Sequence, residues 1–169
     1  MSVKRHELTG KMAIVMGAMW SLALYHGGLR KLITDLKFRG KRDRLFAIKY
    51  FLAHIPLNTF SLPQNIVAAA VPLHREREKK RGFNQAELIF GEWLDEAGIC
   101  MERPLVRRKK TVHQYGLSVE ERLENLKDSM DLAPGAAVNG RNFLLLDDIL
   151  TTGTTLYECA VTLKNGGAN

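Results

Sequence analysis

Cysteine is scarce in this chain. Cys100 and Cys159 stand far apart with no Cys-x-x-Cys spacing, which indicates neither a zinc ribbon nor a disulfide framework. No Gly-x-x-x-x-Gly-Lys-Ser/Thr occurs, and this removes the P-loop nucleotide hydrolases. Internal repeats and low-complexity tracts are also absent, so disorder is not the default. Aromatic residues make up 8% of the chain and do not alternate with its basic clusters, as a stacking platform for single-stranded nucleic acid requires. The longest apolar stretch, Met12 to Tyr25, is too short to span a bilayer. It follows Lys4, Arg5, His6 and Lys11 in the manner of a signal peptide, but no clean small-x-small cleavage site comes after it. We expect it to pack on the core as a helix or strand, in a cytoplasmic protein without a membrane span.

What is present suits one domain. The 169 residues can bury a sizeable core. A formal charge of +7 and a pI near 9.6 favour anionic partners, phosphorylated metabolites or nucleic acid.

The most informative stretch runs from Phe143 to Thr155, Phe-Leu-Leu-Leu-Asp-Asp-Ile-Leu-Thr-Thr-Gly-Thr-Thr. A continuous apolar run ending abruptly in two acids predicts a buried parallel strand that delivers Asp147 and Asp148 to a crevice at its carboxyl end. The hydroxyl-rich segment beyond contains a Gly and precedes a helical pattern. Backbone N–H groups at such a loop-to-helix junction form an anion cradle at the positive end of the helix dipole.

Other elements follow from periodicity and punctuation. Trp20 to Tyr25 reads as a short strand, and Leu29, Leu32, Ile33 and Leu36 as the apolar face of a helix closed near Gly40. A second helix is predicted from about Asp43 to His54, and a strand from Ile66 to Val71, stopped by Pro72. Next comes a loop with five basic side chains between Arg75 and Arg81, and then Asn84-x-x-Glu87 as the cap of a helix ended by Gly98. Leu105-Val106 is a brief strand. Arg107 to Lys110 are four consecutive cations whose mutual repulsion predicts a mobile segment, anchored by a Ser118-x-x-Glu121 capping box. Pro134-Gly135 and Asn139-Gly140 mark turns, and Leu156, Cys159, Ala160 and Leu163 form one face of a last helix capped by Gly166.

The acids followed by Thr-Thr-Gly-Thr-Thr resemble the phosphoribosyl-pyrophosphate (PRPP) signature of type I phosphoribosyltransferases. Val71-Pro72-Leu73-His74 with Arg81-Gly82-Phe83-Asn84-Gln85 resembles more narrowly the ComF/GntX branch, as do Tyr25, Leu29-Arg30 and Leu36-Lys37-Phe38-Arg39-Gly40. The resemblance implies an α/β fold, a parallel sheet flanked by helices with a small N-terminal hood. Residues 1–19 would form an apolar N-terminal segment and 20–169 the phosphoribosyltransferase-like domain, with 20–60 as hood and 65–169 as core. The family pattern continues past the last helix with another strand, which does not appear in this sequence. The zinc-binding cysteines usual near the N-terminus do not appear either.

By the same resemblance Asp147 and Asp148 hold the ribose hydroxyls, while Thr151, Thr152, Gly153, Thr154 and Thr155 hold the 5′-phosphate. Arg75, Lys79 and Arg81 are the pyrophosphate candidates, Arg81 first among them. Arg81 joins the two aspartates as the implied catalytic set. Arg107 to Gly116 would be the flexible loop over the substrate, with Arg108, Lys109, Thr111 and Gln114 as its contributors. No metal is held by protein ligands alone; Mg²⁺ would arrive with PRPP, water-bridged to Asp147 and Asp148. The implied partners are PRPP and a small-molecule acceptor, a nitrogen nucleophile, with a homodimer and single-stranded DNA or competence proteins as further candidates. Two other readings stay open: a PRPP or nucleotide sensor without transfer, and a basic nucleic-acid-binding competence protein.

Overall fold

A computed structural model describes residues 3–41, 43–108 and 129–169. The order is β1 (Lys4–His6), α1 (Gly10–Val15), β2 (Met19–Ser21), α2 (Gly27–Arg39), α3 (Arg44–Leu52), a 3-10 turn (Leu57–Phe60), β3 (Ile66–Ala70), α4 (Arg75–Arg81) and α5 (Gln85–Asp95). Then come β4 (Met101–Glu102), β5 (Leu105–Arg107), β6 (Met130–Leu132), β7 (Asn142–Leu146) and α6 (Thr154–Asn165). The expected mixed α/β architecture is present.

Its centre is a parallel sheet in the order β4-β3-β7. Ile66 pairs with Asn142 and Ala70 with Leu146, so β3 and β7 run side by side and finish at the same edge. Val71 extends the pairing by donating its N–H to the Leu146 carbonyl at 2.8 Å. Apart from Asn142 at the start of β7 both strands are apolar, as suits a sheet packed on both faces. Leu144 and Leu146 face a core with Leu36, Ile48, Leu52, Phe60, Phe90 and Trp93. Phe143 and Leu145, at the alternate positions, face a second core with Val71, Leu105, Met130, Leu156, Cys159 and Leu163. Burying one such Leu or Phe contributes about 1.5–3 kcal/mol, so a charge at any of these positions would empty a face of the sheet. Trp93 fixes one wall by donating its indole N–H to the Ile55 carbonyl at 2.8 Å and meeting Phe60 edge to face.

Several expectations change in detail. The basic stretch Arg75–Arg81 is a helix and not a loop, because His74 accepts from the Glu76 N–H at its start and Gly82, at φ 79°, ends it. A left-handed residue there lets the chain reverse at once into α5, which favours glycine. Asn84 caps α5 as expected, its Oδ1 accepting from the Ala86 N–H at 3.0 Å, but Glu87 pairs with Arg103 at 2.5 Å. The Trp20–Tyr25 strand is shorter and begins earlier, as β2, pairing antiparallel with β1. The apolar segment from Met12 is only partly buried: no residue of α1 is buried, while Met16 and Met19 pack against the second core. Arg107 is not part of a loop, since it closes β5 opposite Met130 of β6. Among the described residues no helix is long and apolar enough to cross a membrane.

Candidate functional site

Parallel pairing of β3 and β7 puts their carboxyl ends together, and two stretches far apart in sequence therefore meet. From β7 come Asp147 and Asp148; from β3, through Pro72 and Leu73, comes the basic helix α4. Asp147 is half-buried and its Oδ1 accepts the Asp148 N–H at 2.8 Å. Burial, and then the neighbouring Asp148 charge, push its carboxyl up to about 7, against an opposing pull from Lys37. Asp148, with 9% of its side chain exposed, accepts two hydrogen bonds from Lys37 Nζ, at 3.1 and 3.2 Å. Lys37 projects from α2, so the first helix after the N-terminal hairpin is tied to the acids.

The cations are sorted by the helix that carries them. Arg75 and Lys79, four apart, are exposed, whereas Arg77 and Arg81 are half-buried on the inward face. Burial lowers the Arg81 pKa, the Asp148 charge opposes that, and the Arg77 charge adds to it, so the three lie within electrostatic reach of one another. Arg107, brought in by a parallel bridge between its backbone and that of His74, has its pKa lowered by burial and by Arg77. A nest of partly desolvated arginines thus stands beside two carboxylates, an arrangement suited to a polyanion that carries hydroxyl groups.

The threonine segment follows the acids directly and leads into α6. Gly153, at φ 76°, caps α6, and a Cβ there would lie 3.3 Å from the Met19 sulfur, so backbone and space both favour glycine. Thr152 and Thr154 share a hydrogen bond at 2.8 Å; Thr154 is buried, Thr152 and Thr155 are half-buried and Thr151 is exposed. A cavity of about 1130 Å³ adjoins the site, with Asp147, Asp148 and Thr151 in its wall beside Met19, Trp20 and Tyr25.

Of the flexible-loop candidates, Arg108 is exposed, its Nε 3.4 Å from Asp131. Lys109, Thr111, Gln114 and the Ser118–Glu121 cap lie outside the described residues. Sequence reasoning passed over Lys37 and Arg77 as site residues, and placed Arg107 in the loop over the substrate and not beside Arg77 and Arg81. Lys37 carries a signal only in the Leu-Lys-Phe-Arg-Gly resemblance, and Arg77 could have been paired with Arg81 by its i, i+4 spacing. Among the described residues no group of three or more His, Cys, Asp and Glu side chains could hold a metal. Two adjacent carboxylates do fit a Mg²⁺ that keeps its waters and shares a phosphorylated substrate.

Over 159 residues the chain is 34% identical to the DNA utilization protein YhgH of Escherichia coli K12, a match covering 88% of this chain and 66% of the relative. It belongs to the ComF-like family. The Haemophilus influenzae competence protein F is 38% identical over 146 residues, which cover 80% of this chain and 62% of that protein. Bacillus subtilis competence protein ComFC is 32% identical over 150 residues, with coverage of 87% and 58%. This ComF-like chain therefore spans about two thirds, or somewhat less, of the length of the curated relatives it matches. No family model matches the chain, and no solved structure matches it.

Proposed function

We propose that the chain binds PRPP with Mg²⁺ and transfers its phosphoribosyl group to a nitrogen acceptor. One observation carries the reading: Asp147 and Asp148, the inward arginines and the threonine loop converge at one edge of the sheet, at the carboxyl ends of β3 and β7. The distribution of charge suits the reaction. Phosphoribosyl transfer develops positive charge at ribose C1 while pyrophosphate leaves as a polyanion, so carboxylates belong near the sugar and cations near the leaving group. Asp147 and Asp148 would accept from the ribose 2′- and 3′-hydroxyls, and the backbone N–H groups and hydroxyls of Thr151 to Thr155 would hold the 5′-phosphate. Arg81, with Arg77 and Arg107 beside it, would receive the pyrophosphate. Mg²⁺, when bound, would neutralise pyrophosphate oxygens, with the two acids holding its waters. The acceptor would enter by the cavity under Trp20 and Tyr25. The names of the relatives, competence protein and DNA utilization protein, extend the proposal to a role in DNA uptake or use. Calorimetry of Mg·PRPP tests the reading: Asp147→Asn with Asp148→Asn should abolish binding while the fold persists, and unchanged affinity would reject it.

A further inference from the structure

We infer that Gln85 is a positioning residue for Arg81 and that its side-chain amide is a second donor to the anion Arg81 receives. This rests on the reading of Arg81 as the pyrophosphate ligand. Gln85 opens α5 and is 2% exposed. Its Oε1 accepts a hydrogen bond from Arg81 Nη1, across the corner where α4 ends, Gly82 reverses the chain and α5 begins. The contact joins two helices and is not an exposed pair along one. Its Nε2, in contrast, is buried with no hydrogen-bond partner among the described residues.

A buried amide N–H₂ left unpaired destabilises the protein in which it sits. A Leu or Met would fill nearly the same volume with no such group. The neighbouring residue shows that this corner can satisfy its amides: Asn84 Nδ2 donates to the Val71 carbonyl at 2.9 Å and its Oδ1 caps α5. The two amides therefore divide the work. Asn84 fastens the end of β3 to the start of α5, while Gln85 turns its acceptor to the guanidinium and keeps a donor in hand. An oxygen of a pyrophosphate lying against Arg81 would complete the set, with Arg N–H and Gln N–H₂ converging on one anion.

The test is a double-mutant cycle of Gln85→Met and Arg81→Ala, read by calorimetry with Mg·pyrophosphate and with ribose 5-phosphate, alongside thermal melts. Gln85→Met should weaken pyrophosphate by about tenfold, the scale of one hydrogen bond to a charged group, and leave ribose 5-phosphate within about twofold. Its Tm should stay level or rise, because an unpaired amide has been removed. In the Arg81→Ala background the same change should cost less, because the positioning part of its effect has gone and only the loss of the amide donor remains. Gln85→Glu supplies a second arm: it keeps the acceptor for Arg81, replaces the donor with negative charge, and should weaken pyrophosphate more than Met does. A Gln85→Met protein that loses Tm and both ligands together, or binds pyrophosphate as the wild type does, overturns the inference. Wild-type protein that binds neither pyrophosphate nor PRPP overturns the parent reading and the inference with it.

Discussion

Lys37 Nζ donates to both carboxylate oxygens of Asp148, at 3.2 and 3.1 Å, and so links α2 to the end of β7. The pair lies at intermediate depth, with 26% of the lysine side chain and 9% of the aspartate side chain exposed. At that depth neither the near-zero value of an exposed pair nor the full penalty of a buried one applies. The ammonium also pulls the Asp147 carboxyl down, against burial and the Asp148 charge. One cation from the N-terminal half of the chain thus pairs with Asp148 and opposes the upward push on Asp147.

Replacing Lys37 with Met keeps much of the stem and removes the charge. We expect a stability loss of about 1–3 kcal/mol in urea denaturation, since Asp148 then loses its direct ion pair and keeps the longer-range pull of Arg81. Adding Asp148→Asn should recover part of that loss, giving a coupling energy of about 1 kcal/mol. Strict additivity of the two substitutions would show that the contact contributes nothing to the fold.

A second prediction concerns pH. The ordinary value for Asp147 is 3.8 and the folded value is pushed up to about 7, first by burial and then by Asp148. Between those two values the folded protein holds a proton that the unfolded chain releases. The contribution of this group is complete below the unfolded pKa and is lost as pH rises through about 7. Wild-type Tm should therefore fall between about pH 4 and pH 7 relative to Asp147→Asn, and above pH 7 the variant should be the more stable by on the order of 1–3 kcal/mol. Lys37→Met should move the wild-type descent to higher pH, because the charge that lowers Asp147 has gone. Parallel Tm curves for wild type and Asp147→Asn would place the carboxyl back in the ordinary range.

The central strand, its two acids and the threonine segment were legible because they are contiguous: an apolar run, a charge step and a glycine before a helix are read from neighbours in sequence. Helices α2 and α6 were legible by periodicity, α5 by its Asn84 cap, and Gly40 and Gly166 by their positions after the last turn. Lys37 was not legible as a site residue, since on an amphipathic helix it looks like any solvent-facing lysine, and only the packing of α2 brings it to Asp148. The basic stretch misled for a related reason. Five cations in seven residues suggest a solvated loop, but Glu76 and Glu78 sit in the first turn and Lys79, Lys80 and Arg81 in the last, so the charges agree with the helix dipole. A charge count ignores that order.

That helix also separates the pyrophosphate candidates, which composition treats alike. Arg75 and Lys79 lie on its exposed side, Arg77 and Arg81 on the side near Asp148 and Arg107. A cation in open solvent at physiological ionic strength acts through a screening length of about 8 Å and loses most of its hold on an anion beyond it. A partly desolvated guanidinium acts through direct, charge-assisted hydrogen bonds. Arg77→Ala and Arg81→Ala should each weaken Mg·pyrophosphate by about tenfold or more, with ribose 5-phosphate much less affected. Arg75→Ala and Lys79→Ala should stay within about threefold, and that small loss should vanish as salt is raised. If the proposed nucleic-acid role dominated instead, the exposed pair would matter as much as the inward pair, and affinity for a DNA oligonucleotide would fall linearly on a logarithmic salt scale with a slope set by the phosphates neutralised. Calorimetry of pyrophosphate and salt titration of oligonucleotide binding on the same four variants would show which side of α4 carries the ligand.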